Sequence, residues 1–226
     1  PVSSEPIEQG VLLVEDGALI AVGAGVSVPA DAEVVDLTGK VVIPGLVDLH
    51  SHIGGGRLGE SLGVAQPGIS AIDAIDPTHV SIQRAQAGGI TTVNVMPGSG
   101  KLMGGQTAYL DLVDTSVVDE LLRCTGEGEG IARWHQICGG MKMANGTNPQ
   151  GDGGDPSSRM GSAYLQRQTL IKGQQRLKAL PDPEAEESVR RKRKDPPPAP
   201  EPDLDGDALA QILAGDRVVH FHSHRA

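Results

Sequence analysis

The sequence predicts an α/β fold in which parallel strands alternate with helices, preceded by a short all-β segment. Three observations point there. Val42-Ile43-Pro44-Gly45-Leu46-Val47-Asp48-Leu49-His50-Ser51-His52 is an apolar run that ends in two histidines, and a continuous apolar run of this kind is typical of a strand buried on both faces. Ile90–Met96 is a second such run, rich in β-branched residues. Between them, Asp76-Pro77 reads as a helix start, with Asp as cap and Pro at the first helical position, and Gly88-Gly89 as its stop. Strand, helix, strand is the unit of a parallel sheet.

The elements follow in order. Residues 10–43 read as short strands: Val11–Val14, a turn at Glu15-Asp16-Gly17, Ala18–Val22, then Glu33–Leu37, a turn at Thr38-Gly39, and Lys40–Ile43. Gly45–Leu49 is the first buried strand, and a Gly-rich loop runs from Gly54 to Gly59. Beyond the helix and the second strand, Gly139–Ala144 is a short strand containing Lys142, and Ser158–Leu180 is a helix capped by Ser157 or Ser158. The block Arg190-Arg191-Lys192-Arg193-Lys194, beside acidic residues and before Pro196-Pro197-Pro198, reads as a solvated insertion and linker over about residues 181–206. Asp207–Ala214 is a short helix and Val218–His224 the last strand.

Composition narrows the function classes. Among 226 residues only 2% are aromatic, while Gly (31) and Pro (16) are abundant, so the core is built from Val, Leu, Ile, Ala and Met. A net charge of −10 argues against a nucleic-acid partner, whose phosphates select for excess Lys and Arg. No apolar run approaches the ~20 residues that span a bilayer, so a soluble protein with no membrane partner is expected. A homo-oligomer is compatible with the sequence. Because the first residue is Pro1 rather than Met, localisation, cytoplasmic or exported, stays open. Cys124 and Cys138 lack the close pairing of a zinc site or disulfide scaffold and read as ordinary buried thiols.

The chemistry starts at His50 and His52. Side chains alternate along a strand with period two, so both leave the backbone on one side and can point two imidazole nitrogens at one ion. That is half of a metal site. Asp48, two residues earlier on the same face, is placed to orient a histidine. His220, His222 and His224 also share one face of their strand, and geometry alone does not choose among them as ligands. Gly98-Ser99-Gly100-Lys101 is not a phosphate loop, since Val95 stands where that motif needs Gly and Leu102 where it needs Ser or Thr. It reads instead as a loop beside a site. Asn145-Gly146-Thr147, formally a glycosylation sequon, reads as a buried turn.

Pro44-Gly45-x-x-Asp48-x-His50-x-His52 resembles the first strand of the metal-dependent amidohydrolase superfamily, and Ala87-Gly88-Gly89-Ile90-Thr91-Thr92-Val93 its second. Met96-Pro97-Gly98-Ser99-Gly100, Gly104-Gly105-Gln106, Gly140–Pro149, Arg159-Met160-Gly161 and His220–Ala226 are similar to a subset related to imidazolonepropionase. The resemblance implies an incomplete (β/α)8 TIM-like barrel, about strands 1–5, over residues 45–226, preceded by part of a small β-sandwich over residues 1–44. It implies one or two divalent metal ions, zinc first, held by His50, His52, a carboxylated Lys142 and His222. Lys142 would also serve catalysis. His224 at the mouth and Arg225 beside it would face substrate.

A complete barrel takes ~250 residues, so the chain is expected to be an N-terminal fragment, inactive alone. The implied activity of the parent is hydrolysis of C–N bonds in amide, cyclic amide or dipeptide-like small molecules through metal-activated hydroxide. The alternative is a non-catalytic degenerate barrel kept as a binding or structural remnant.

Overall fold

The computed structural model describes residues 5–125, 136–150, 155–180 and 201–224. The chain divides into two compact units, Pro1–Gly45 and Leu46–Ala226.

In the first unit, β1 (Val11–Glu15) and β2 (Ala18–Gly23) form an antiparallel hairpin. Its two-residue turn needs positive φ at both positions, which Asp16 (48°) and Gly17 (75°) supply. The strands expected over 33–37 and 40–43 do not form. Strand propensity is realised only where a ladder partner exists, and here Val34, Val35, Val41 and Ile43 stay exposed.

The second unit holds a mixed α/β fold. β3 (Leu46–Ser51) and β4 (Ile90–Val95) pair in parallel, with α1 (Val80–Ala87) between them in the chain. β5 (Met103–Gln106) and β6 (Ala108–Asp111) follow, separated only by Thr107. β6 runs antiparallel to β4, and β5 antiparallel to β7 (Met141–Gly146). β7 then pairs in parallel with β8 (Val219–His224). The all-parallel arrangement expected from the sequence is therefore corrected: the bent segment from β5 to β6 lies antiparallel between two parallel pairs. Thr107 N–H donates to Gly140 O at 2.8 Å and Tyr109 N–H to Cys138 O at 2.7 Å, which stitches the two three-stranded sheets together.

Helix starts also move. α1 begins at Val80, capped by His79, because Asp76 is committed to a turn in which its Oδ1 accepts from Thr78 N (2.9 Å) and Oγ1 (2.7 Å). The short α2 (Val118–Leu121) follows β6. α3 (Arg159–Ala179) is capped by Ser158, one of the two serines that its sequence offers. α4 (Leu204–Ala214) starts earlier than expected because Asp203 caps it, its Oδ1 accepting from Gly206 N at 2.9 Å. The predicted linker therefore ends before Leu204, while the basic run and the proline run lie outside the described residues. Arg176 and Asp207, 2.6 Å apart, join α3 to α4.

Two cores sit on the helix side of the sheets. Val93, Val95, Ala108, Leu110 and Leu121 pack with Ile82 of α1; Met103, Met141 and Met143 pack with Ala208 and Leu209 of α4. Each fully buried Val, Leu, Ile or Met among them contributes roughly 1.5–3 kcal/mol. Strand alternation then sends Asn94, Tyr109, Lys142, His220 and His222 to the opposite face. Cys124 and Cys138 form a disulfide, not the free thiols read from spacing alone. Their 14-residue separation matches no framework motif, and the pairing arises because Thr125 and Ile137 bond to each other through their backbones.

Candidate metal and active site

Alternation places the expected residues on one polar face. Lys142 stands opposite His220 in the β7–β8 ladder, and Ala144 opposite His222. β3 and β7 are not ladder neighbours, yet Lys142 Nζ lies 3.2 Å from His50 Nε2. The sheet surface must curve for these side chains to meet. The rings of His50 and His52 are 5.2 Å apart, and those of His50 and His222 6.3 Å. His50, His52, Lys142 and His222 are thus brought together; His224 sits at the strand end, its Nδ1 3.0 Å from Thr147 Oγ1. Arg225 lies outside the described residues.

Lys142 is 2% exposed. Its hydrogen-bond partners are His50 Nε2 and, at 3.1 Å, Met96 Sδ, neither of them anionic. Burial pushes its amine below the ordinary lysine range. Desolvation first, then Lys142, also lowers His50 and His222, which favours the neutral form that ligates.

His52 Nδ1 lies 2.8 Å from Met96 O. A carbonyl only accepts, so Nδ1 carries the proton and Nε2 presents its lone pair, the orientation that a metal-bound imidazole takes from its outer partners. Asp48 does not orient a ring as expected; its Oδ1 accepts from the His50 backbone N–H at 3.0 Å. The donor chemistry fits a divalent cation: imidazoles and a buried lysine nitrogen on one face, with a set tautomer at His52. Among the described residues, no three His, Cys, Asp or Glu side chains are gathered closely enough to hold one as they stand.

Sequence reasoning missed the residues that surround the histidines. His220 Nε2 lies 3.0 Å from Tyr109 OH and 3.1 Å from Asn94 Nδ2, so that nitrogen is already capped. Asn94, 2% exposed, also donates to Leu49 O at 3.3 Å, and its Oδ1 has no partner among the described residues. The signal was the register, since Asn94 and Tyr109 face each other across β4 and β6, but β6 itself was not foreseen.

Burial and Lys142 hold His220 below the ordinary histidine value of 6.5. The unfolded chain therefore takes up this proton first. The contribution to stability is complete above 6.5 and is lost as pH falls through the lower folded value. His220→Gln is expected to flatten part of the acid limb in urea titrations between about pH 7 and pH 5; an unchanged limb would assign the loss to other groups.

No protein-family model matches the chain. Amidohydrolase tasK of Hapsidospora irregularis is 29% identical over 192 residues, 76% of this chain and 19% of that protein. A dihydroorotase of Geobacter sulfurreducens is 29% identical over 150 residues, 66% of this chain and 28% of that protein. The crystal structure of an amidohydrolase from Thermotoga maritima MSB8 superposes with a TM-score of 0.74 at 31% identity, over 95% of this chain and 54% of that one. These likenesses support the amidohydrolase superfamily. The chain spans 19% and 28% of these two curated relatives and about half of the solved one. No helix among the described residues is long and apolar enough to cross a membrane.

Proposed function

We propose that the full-length protein is a metal-dependent amidohydrolase that cleaves C–N bonds in small amides, cyclic amides or dipeptide-like molecules. The observation that carries this reading is the meeting of His50, with His52 beside it, and Lys142 from non-adjacent strands, with Lys142 buried beside an imidazole and a thioether and no anionic hydrogen-bond partner among the described residues. A charged ammonium is poorly accommodated there, whereas a carbamate would offer two oxygens to cations. The names of the relatives, amidohydrolase and dihydroorotase, support the reaction class.

In this reading His50 and His52 would hold one divalent ion, zinc first, His222 would serve a second, and a carboxylated Lys142 would offer its anionic oxygens to them. Such an ion supplies a Lewis acid that polarises a carbonyl and lowers the pKa of bound water toward about 7. His52 keeps its ligating nitrogen through Met96 O, and His220, capped by Tyr109 and Asn94, stays a hydrogen-bonding neighbour. His224 and Arg225 are proposed to meet the substrate. We further assign residues 45–226 to the first strands of a (β/α)8 barrel, residues 1–44 to a composite β-sandwich, and the chain to the imidazolonepropionase-related subset, on the motifs from Met96 to Gly100 and from Gly140 to Pro149.

The test is metal content by mass spectrometry on the full-length protein and its His50→Ala and His52→Ala variants. Each is expected to lose an equivalent of metal and nearly all hydrolysis of cyclic-amide substrates. Metal content equal to that of the unsubstituted protein would overturn the assignment.

A further inference from the structure

Two consecutive residues leaving β7 reach the histidines of β8. Thr147 Oγ1 meets His224 Nδ1, and Asn148 Nδ2 lies 3.0 Å from His222 Nε2. The same amide donates to Ser99 Oγ at 2.8 Å. The loop after β4 and the loop after β7 therefore converge on His222. An amide nitrogen has hydrogens and no available lone pair, so it only donates. The His222 Nε2 facing it is then the unprotonated, accepting nitrogen. That lone pair is also the one a cation would use, and it cannot serve amide and cation together.

We propose that Asn148, braced by Ser99, is a latch on His222: its amide holds the imidazole Nε2 in the metal-free protein and is displaced when a divalent cation binds. The inference rests on the metal reading above. The latch has two opposed effects. It keeps His222 in the tautomer that ligates, and it competes with the ion for the same nitrogen. Asn148 is a positioning residue, acting through His222.

Zinc titration by calorimetry on metal-stripped full-length protein, with cobalt absorption bands as a second signal, tests the latch. Asn148→Ala is expected to tighten binding at the His222 site about three- to tenfold, the range of one neutral hydrogen bond. Asn148→Asp, which replaces the donor with an anionic acceptor, should tighten it further. Ser99→Ala, which loosens the brace, should shift affinity in the same direction by less, and it keeps the test open if a substitution at Asn148 impairs folding. In a His222→Ala background, Asn148→Ala should change neither affinity nor the cobalt spectrum. Equal affinities for the unsubstituted protein and Asn148→Ala, or a tightening that survives His222→Ala, would overturn the latch and leave the metal reading standing. No zinc binding by the unsubstituted protein would overturn both.

Discussion

Lys142→Met is expected to make the metal-free protein more stable while removing metal and activity from the loaded one. The side chain is 2% exposed, and among the described residues its amine meets His50 Nε2 and Met96 Sδ. A protonated amine in that setting has lost its water and gained no counter-ion, and burial lowers its pKa from 10.5. The unfolded chain therefore holds this proton more tightly than the folded chain. The penalty to the fold is present at neutral pH and disappears as pH rises toward 10.5. Methionine has similar length and no charge; replacing buried ion pairs with apolar groups of like volume ranges from neutral to a gain of roughly 1–4 kcal/mol, and an unpaired ammonium lies toward the gain. Urea denaturation of metal-stripped protein at neutral pH should show such a gain, shrinking as the pH is raised. The same substitution removes the atom on which a carbamate would form, so metal content should fall by one equivalent and turnover by about a hundredfold or more. A lysine kept for structure would give the opposite pattern, lower stability with metal content unchanged.

How much of this was legible from residues alone depended on whether the signal was local. The period of two in Leu46–Ser51 was enough to put His50 on the polar face, although Leu46, Val47 and Leu49 stay exposed where a buried strand was expected, and the Ser157-Ser158 pair placed the start of α3 to within a residue. Lys142 was different. Nothing in the spacing of Gly-Met-Lys-Met-Ala marks it, and only resemblance tied it to His50, because their contact depends on sheet curvature. The strands β5 and β6 were missed because they are four residues each and the paired glycines Gly104-Gly105 carry no strand propensity. Those glycines serve packing: a Cβ on Gly105 would come within 2.7 Å of Ile69 O, and one on Gly104 within 3.0 Å of Gly98 O. Tyr109 and its contact to His220 were hidden with that segment. The Cys124–Cys138 bridge depends on the backbone pairing of Thr125 with Ile137, and the contact of Asn148 with His222 joins residues 74 apart in the chain. Local pattern carries no information about such pairings.

Gly139→Ala is expected to be among the most destabilising single substitutions in the second unit. Gly139 lies just before β7, where Thr107 N–H bonds to Gly140 O and Tyr109 N–H to Cys138 O. A Cβ on Gly139 would overlap the carbonyl of Thr107 and come within 2.9 Å of the Ala108 nitrogen. Both are backbone atoms of the central antiparallel segment, so no rotamer change relieves the clash. The segment is fixed from its other edge by β4, whose Val93 and Val95 pack with Ala108 and Leu110 in the larger core. Relief requires moving one sheet from the other, with the loss of the two bridging hydrogen bonds and of the Arg217 Nη1 bond to Gly139 O at 2.8 Å. Arg217 is itself buried, and its other contact is with Gln211 Oε1, so losing Gly139 O would leave part of a buried guanidinium unsatisfied. A cost of about 3 kcal/mol or more follows from overpacking and lost hydrogen bonds together. Gly100→Ala provides the control, because a Cβ there meets nothing within 4 Å. Thermal unfolding should show a clear drop in Tm for Gly139→Ala and almost no change for Gly100→Ala. Because Tyr109 and Lys142 are carried by the strands that meet at Gly139, zinc affinity should fall with Tm for the first variant and hold for the second. Equal melting temperatures would mean that the two sheets are not joined through Thr107 and Gly140 as described.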